Sequence, residues 1–240
     1  MTRRLGFLHT LEPNIEVFEE LSRALGWQGE IVHRVEETAI DEMRTAGGVT
    51  RGIEGRVRAE IEALIEFPVD LVVCSCSAIG AIAESMDGSK GVEVQRIDRA
   101  MADEAVAAGQ RIAVIASLPS SIPATRALLE SSAEKASRTV EIDEIVADTA
   151  WARYQEGDHA GYCESIAEVG KSVFGRCDAI VLAQASMADA ADLMQAAPIP
   201  VLSSPRLGIR RALDALQGMG PTTAQSLRGN RLQGLRFDPL

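Results

Sequence analysis

The hydrophobic positions of the N-terminal part form short continuous runs separated by longer stretches of helical spacing. Continuous apolar runs predict strands buried on both faces, and apolar residues that recur every three or four positions predict amphipathic helices. The runs predict strands over residues 5–8, 30–35, 71–75 and 92–96. Helices are predicted from Ile15 to Leu25 and over 51–67, 78–86 and 101–108. This alternation is typical of a parallel sheet covered by helices.

The C-terminal part repeats the pattern. Strands are predicted over residues 111–116, 140–146, 179–183 and 201–202, and helices over 122–131, 159–174, 187–196 and 207–216. We expect the last of these helices to pack back on the N-terminal part. After Gly220 the periodicity fades, which favours a tail without regular structure.

The two parts also match residue by residue when the chain is shifted by 107 or 108 positions. The matching pairs are Arg4–Leu11 with Arg111–Leu118, Asp70–Cys76 with Asp178–Gln184, and Val94–Arg99 with Val201–Arg206. Three segments in the same order predict two copies of one unit. The predicted fold class is therefore α/β, with two lobes related by a pseudo-twofold axis, each a flavodoxin-like parallel sheet flanked by helices. Residues 1–97 plus 208–225 form the first predicted lobe, 98–207 the second and 226–240 a tail.

Composition narrows the classes of function. The 240 residues carry a net charge of −11 without a basic stripe, which argues against nucleic acid as a partner. The longest weakly polar run, 71–83, is too short to span a membrane. No secretory signal is visible, so we expect the cytoplasm and reduced thiols. The four cysteines lack the paired spacing of zinc sites, and no metal is predicted.

Small polar residues follow the equivalent strands of both parts. They are Thr10 and Asn14; Cys76 and Ser77; Ser117, Ser120 and Ser121; and Gln184 and Ser186. Because α/β folds bind ligands at the carboxyl ends of their strands, these groups predict a site for a small carboxylate between the lobes. The alternative is that the serines and Asn14 only cap helices.

The repeat is asymmetric where Cys76 in the first part matches Gln184 in the second. A thiol with a pKa of about 8.5 at a helix start can act as base, acid or nucleophile, whereas an amide cannot exchange its protons in this way. Cys74, Cys163 and Cys177 fit a structural role. His9 ends the first strand and either handles a substrate proton or is bonded to the backbone; His33 and His159 have no evident partners.

These residues resemble a known family. The segment from Asp70 through Cys76 to Ala78 is similar to the first cysteine motif of the aspartate/glutamate racemase superfamily, and 178–189 resembles its second motif in the hydantoin racemase form. Residues 112–125 resemble the threonine-containing loop of the family's second half. The resemblance extends from Leu5 to about Ala215.

The resemblance implies a cofactor-independent reaction in which two cysteines flank the substrate's α-carbon, one removing a proton and the other returning one. Cys76 matches the first cysteine, and His9 lies where amino-acid racemases of the family often have a carboxylate. The implied substrate-binding positions are Thr10, Asn14, Ser77, Ala78, Ser117, Ser120, Ser121 and Ala185. A homodimer is also implied, since family members are often dimers.

The departure from the family lies at Gln184, where the second cysteine is missing. Ser186, two positions later, is a very weak acid unless assisted. The predicted catalytic positions are therefore Cys76, Gln184, Ser186 and His9, with Cys76 as the single thiol. The leading prediction is a racemase- or isomerase-type enzyme that abstracts a proton next to a carboxylate or carbonyl of an amino-acid-like molecule. The alternatives are a decarboxylase with one-sided protonation, a non-catalytic carboxylate-binding homologue and a structural subunit.

Overall fold

A computed structural model describes residues 2–219, which form two four-stranded parallel sheets. The strands of the first half are β1 (Arg4–His9), β2 (Glu30–Val35), β3 (Leu71–Cys74) and β4 (Glu93–Arg96). Those of the second half are β5 (Arg111–Ala116), β6 (Glu141–Val146), β7 (Ala179–Leu182) and β8 (Val201–Ser203). The predicted tail, 226–240, lies outside the described residues, as do residues 220–225 of the first predicted lobe.

Helices connect the strands. They are α1 (Asn14–Ala24), α2 (Ala39–Ala46), α3 (Arg51–Glu66), α4 (Gly80–Glu84), α5 (Arg99–Ala108), α6 (Ile122–Lys135), α7 (Ala150–Gln155), α8 (His159–Ser172) and α9 (Ser204–Gly218). Short 3₁₀ segments occupy Ser77–Ile79, Ser89–Gly91 and Pro119–Ser121, and a longer one occupies Ala185–Met194.

Both sheets have the same strand order, β2-β1-β3-β4 in the first and β6-β5-β7-β8 in the second. Leu5 pairs with Leu71 between the central strands of the first sheet, and Ile112 pairs with Ala179 in the second. The register of the central pair therefore repeats at the spacing of the sequence repeat. The predicted α/β class, with two parallel sheets flanked by helices, is confirmed, while the residue boundaries of the two lobes stay a prediction.

Helices cover both faces of each sheet because alternate residues of a buried strand point to opposite faces. In β1, Leu5 and Phe7 pack in one core with α1 and α9, and Leu8 packs in another with α3. In the second half, α5 and α6 cover one face of the sheet and α8 covers the other. Helix α9 thus packs on the first sheet, as the sequence predicts, although it follows β8.

Gly208 allows α9 to approach the chain beyond β4. A Cβ atom at this position would lie 2.1 Å from the carbonyl oxygen of Ile97, which is far inside contact distance. A glycine in a helix interior is otherwise unfavourable by up to about 1 kcal/mol. Close packing between α9 and the end of the first sheet explains its presence.

The structure departs from the predicted helices in two ways. Helices α2 and α7 are not predicted by the apolar spacing, because each is short and buries only its first residue, Ala39 or Ala150. The α-helix predicted over 187–196 is instead the 3₁₀ segment Ala185–Met194. Similarly, the helix predicted over 78–86 begins as a 3₁₀ turn before α4.

Candidate active site

Cys76 and Gln184 occupy equivalent positions in the two halves. Each lies two residues beyond the last residue of a central strand, Cys74 of β3 or Leu182 of β7. Each also has an extended backbone directly before a 3₁₀ segment, with φ and ψ of −104° and 116° at Cys76 and −124° and 142° at Gln184. The asymmetry of the repeat therefore falls on one structural position at the carboxyl edge of each sheet.

The Cys76 sulfur lies among hydrogen-bond donors. The Thr10 hydroxyl and the backbone N–H groups of Ala78 and Ile79 all interact with it and favour its thiolate. Burial against the apolar core of the first half opposes them and raises the pKa of the thiol overall. Cys76 is nevertheless partly exposed, whereas Cys74, Cys163 and Cys177 are buried. Cys76 is thus the one cysteine that combines intermediate exposure of the residue with several thiolate-stabilising groups around its sulfur.

Gln184 is held by Ser117, the residue equivalent to Thr10. Its side-chain oxygen Oε1 accepts hydrogen bonds from the Ser117 backbone N–H at 2.8 Å and from the Ser117 hydroxyl at 2.9 Å. The two halves therefore repeat one contact. It joins the residue directly after the first strand of each half, Thr10 or Ser117, to the residue two positions beyond the third strand, Cys76 or Gln184. In the first half this contact involves a thiol, and in the second half it involves an amide.

Ser186 joins the same group through Tyr162, which is completely buried. The Tyr162 hydroxyl lies 3.2 Å from the Ser117 hydroxyl and 2.9 Å from that of Ser186. Burial raises the pKa of Tyr162, so the phenol is neutral at physiological pH. Tyr162 is not predicted as a functional residue from the sequence, since it lies on the apolar face of α8. The signal in the sequence that could have identified Tyr162 is a side chain with a hydroxyl group on an otherwise apolar helix face.

His9 is completely buried on the other side of the first sheet from Leu8. Its Nδ1 lies 2.7 Å from the Ser75 hydroxyl, and its Nε2 lies 2.9 Å from Nδ1 of His33. His33 in turn lies 3.9 Å from the Glu19 carboxylate. The partners of His9 are therefore side chains rather than the backbone. His33, which has no evident partner in the sequence, lies between His9 and Glu19 in the structure. His159 is likewise bonded to Asp189, at 2.9 Å.

The buried histidines predict a loss of stability in mild acid. Burial, with a smaller effect of His33, lowers the pKa of His9 to about 3, and burial also lowers the pKa of His33. An unfolded histidine takes up a proton below about pH 6.5, so the folded state loses stability as the pH falls from there toward 3. By pH 5 we expect the free energy of unfolding to have fallen by about 2 kcal/mol through His9.

Urea denaturation at pH 7 and pH 5 measures this difference. The variant His9→Gln should lose most of it, because an amide retains hydrogen bonding without titrating. His159→Gln, a change at an exposed histidine, should retain it. Equal pH dependence in the His9→Gln variant and the unaltered protein would contradict the assignment.

Arg96 supports the loop of residues 76–79, hereafter the Cys76 loop. Its Nη2 donates to the Ser77 carbonyl oxygen at 3.4 Å, and its guanidinium fills the space that a Cβ of Gly80 would occupy. Asp98 binds the same guanidinium through two hydrogen bonds of 2.6 and 3.0 Å. Both side chains are buried, with 5% and 2% of their areas exposed. The Cys76 loop thus rests on a buried ion pair.

A second ion pair connects the halves close to this loop. Arg99, at the start of α5, donates to both carboxylate oxygens of Glu84, at 2.8 and 2.6 Å, and to the Ser132 hydroxyl of α6 at 2.8 Å. The 3₁₀ turn Ser77–Ile79 also contacts α6, and the 3₁₀ segment Ala185–Met194 contacts α9. Each loop that carries a candidate catalytic residue therefore touches a helix that packs with the other sheet.

The other predicted binding residues lie in the segments that follow β1, β3, β5 and β7. Within residues 2–219, the side chains of Asn14, Ser77, Ser120 and Ser121 make no hydrogen bond, and Ser121 does not cap α6 although it precedes it. Helix capping therefore does not explain these residues. Ala78 contributes its backbone N–H to the Cys76 sulfur, and Ala185 begins the 3₁₀ segment after Gln184. Binding of a substrate by these residues stays a prediction.

Two further properties concern the described part of the chain. Among residues 2–219, no group of three histidine, cysteine or acidic side chains is placed to hold a metal ion. None of the helices there has both the length and the apolar character needed to cross a membrane.

Comparison with known proteins identifies the family. The sequence model of the Asp/Glu/Hydantoin racemase family matches residues 59–212. The chain belongs to this family, as the resemblance of its motifs predicts. No curated protein sequence gives a significant match.

Several solved structures share the fold. A glutamate racemase from Bacillus anthracis is 15% identical, with a TM-score of 0.67 over 91% of this chain and 83% of that one. An aspartate racemase from Picrophilus torridus is 13% identical, with a TM-score of 0.59 over 85% and 89% of the two chains. An allantoin racemase from Pseudomonas fluorescens is 18% identical, with a TM-score of 0.58 over 89% and 91%. At these identities the likeness concerns the fold.

Proposed function

We propose that this protein is a cofactor-independent isomerase-type enzyme that abstracts a proton from the carbon next to a carboxylate or carbonyl, with Cys76 as its only catalytic thiol. The observation that carries the proposal is the environment of Cys76. Cys76, a residue of intermediate exposure at the carboxyl edge of the first sheet, has the Thr10 hydroxyl and two backbone N–H groups around its sulfur. Those groups stabilise the thiolate that proton abstraction requires.

In the proposed reaction, the Cys76 thiolate takes the α-proton and becomes a thiol. The electron pair left on carbon delocalises into the neighbouring carboxylate or carbonyl, whose oxygens gain negative charge. Within residues 2–219, the hydroxyl groups of Ser77, Ser120 and Ser121 have no hydrogen-bond partner, so they are suited to bind those oxygens, together with the Asn14 amide. The thiol then returns a proton to the same carbon, and no atom is gained or lost. The configuration inverts only when the planar intermediate turns its other face to Cys76, or takes a proton from water on that face, before protonation.

The substrate class follows from the same groups. Hydroxyl and amide donors suit a small molecule with a carboxylate or an amide carbonyl, which includes amino acids and hydantoin-like rings. Family membership supports this class. The four unpaired cysteines favour the cytoplasm as the compartment in which the enzyme works.

A decarboxylase is the second candidate, and the raised pKa of the Cys76 thiol favours it. A protonated thiol at neutral pH is ready to donate a proton rather than to remove one. After loss of carbon dioxide, the carbanion needs a single proton from one face, which a single thiol supplies. Gln184, at the equivalent position of the second half, is not required to act in that reaction.

The test is α-proton exchange in deuterated water, measured by NMR with amino acids, hydantoins and substituted malonates. With a single thiol, we expect deuterium to enter the α-position faster than the configuration inverts. Loss of carbon dioxide from a malonate with deuterium on one face would select the decarboxylase. Ligand-dependent thermal stabilisation without exchange or decarboxylation, and insensitive to alkylation of Cys76, would contradict the enzymatic proposal and select a binding protein.

A further inference from the structure

Four side chains of the second half form a continuous hydrogen-bonded chain, from Gln184 through Ser117 and Tyr162 to Ser186. The successive distances between oxygens are 2.9, 3.2 and 2.9 Å. A hydroxyl group can either donate or accept a hydrogen bond, so the distances alone do not normally show in which direction the protons point along such a chain. Here one end of the chain is fixed by a group that can only donate.

The fixed group is the backbone N–H of Ser117. It lies 2.8 Å from the Gln184 side chain and must face its carbonyl oxygen Oε1, because the amide nitrogen has no lone pair to accept it. The Ser117 hydroxyl lies 2.9 Å from the same oxygen, and Oε1 carries no proton. Ser117 therefore donates its single hydroxyl proton to Gln184.

The remaining directions follow from counting protons. Since the Ser117 hydroxyl has given its proton to Gln184, it accepts in its contact with Tyr162, and the Tyr162 hydroxyl donates. Tyr162 has then used its only proton, so the Ser186 hydroxyl donates to it. All hydroxyl protons point from Ser186 toward Gln184. Among the described residues, the two N–H groups of the Gln184 amide have no partner.

We propose that Tyr162 is a positioning residue that holds the Ser186 hydroxyl proton inside the second half, so that this side of the site offers a ligand N–H donors from Gln184 and lone pairs from Ser186, and only a weakly acidic proton. The ligand-binding part of this inference rests on the proposed function. A ligand atom beside Ser186 must then be a donor, and one beside the Gln184 nitrogen must be an acceptor.

The same count limits which proton the chain can supply. If Ser186 gave its proton to a carbanion, the Tyr162 phenol, which is the most acidic group of the chain, would replace that proton and become a phenolate. Burial raises the pKa of this phenol, so the chain is a weak proton donor near neutral pH. Protonation from the side of Cys76 is therefore favoured.

The direction of the chain can be measured through the ionisation of Tyr162. The sequence contains two tyrosines, Tyr154 and Tyr162, so a Tyr154→Phe background leaves Tyr162 as the only phenol. Its pKa is then read from the ultraviolet absorbance of the phenolate during a pH titration. Neither substrate nor Cys76 takes part, so the result is independent of whether the proposed function holds.

Two substitutions in that background should move the pKa of Tyr162 in opposite directions. Ser186→Ala removes a donor to the phenolate and should raise the pKa by about one unit. Gln184→Met removes the acceptor of Ser117, whose hydroxyl then turns to donate to the phenolate, and should lower the pKa by a similar amount.

A merely structural role predicts another pattern, because looser packing would admit water and lower the pKa in both variants. A lowered or unchanged pKa in Ser186→Ala would overturn the proposal. Because Ser186 is partly exposed, this variant is expected to fold, and thermal unfolding provides the check. If Gln184→Met does not fold, the result for Ser186→Ala is decisive by itself.

Discussion

Replacing Cys76 with serine is expected to slow α-proton exchange by about a thousand-fold. A serine hydroxyl at this position keeps the size of the side chain and its contact with Thr10, but it is too weak an acid to form the required anion near neutral pH. The rate in the unaltered enzyme should rise with pH above neutrality, since burial raises the pKa of the Cys76 thiol and the thiolate is the base. The measurement is deuterium incorporation at the α-carbon, followed over a range of pH.

Two variants accompany this measurement. Cys177→Ala removes a buried thiol outside the site and should leave the exchange rate unchanged. Gln184→Cys places a second thiol at the equivalent position and should raise the rate of inversion relative to the rate of exchange. If neither Cys76→Ser nor Gln184→Cys alters any reaction of the protein, the assignment of the site is wrong.

Replacing Arg96 with methionine is expected to lower the free energy of unfolding by about 3–5 kcal/mol. The variant leaves the Asp98 carboxylate buried without its cation, and a buried unpaired charge is strongly destabilising. It also removes the donor to the Ser77 carbonyl oxygen, so the Cys76 loop loses its support. Urea denaturation followed by circular dichroism measures the effect on stability.

The double variant Arg96→Met with Asp98→Leu provides the matched control. It removes both charges together, and we expect it to recover much of the lost stability, because two apolar side chains can replace a buried ion pair. The carbonyl of Ser77 would still lack its donor, so alkylation of Cys76 by iodoacetamide should remain altered in the double variant. A double variant as unstable as Arg96→Met alone would show that packing of the arginine, rather than charge, dominates.

Much of the fold can be predicted from local patterns. Each strand of the central pairs is a short apolar run, and the buried stripe of Ile53, Val57, Ile61 and Leu64 marks α3. Such patterns report burial and periodicity, which are properties of neighbouring residues. The helices α2 and α7 escape prediction because they bury almost nothing, and the apolar spacing after Gln184 does not distinguish a 3₁₀ segment from an α-helix.

The candidate site likewise contains residues that can be recognised from the sequence and residues that cannot. Cys76, Gln184, Thr10 and Ser117 are recognisable in the sequence because the repeat aligns them and strand ends mark ligand sites in α/β folds. Tyr162 and Arg96 are not recognisable as members of the site, since an aromatic residue on an apolar helix face and an arginine near a strand end have ordinary structural explanations. Their importance lies in their hydrogen-bond partners.

The sequence by itself determined the α/β class, the duplication and the mismatch between the Cys76 thiol and the Gln184 amide. Each of these follows from the order and periodicity of the residues. Only the tertiary structure decided which groups surround that mismatch. Ser117 and Gln184 are 67 residues apart, as are Ser75 and Leu8, and Ser117 and Tyr162 are 45 apart. Hydrogen bonds depend on ångström-scale positions after the sheets have formed, and no local pattern of hydrophobic and polar residues specifies them.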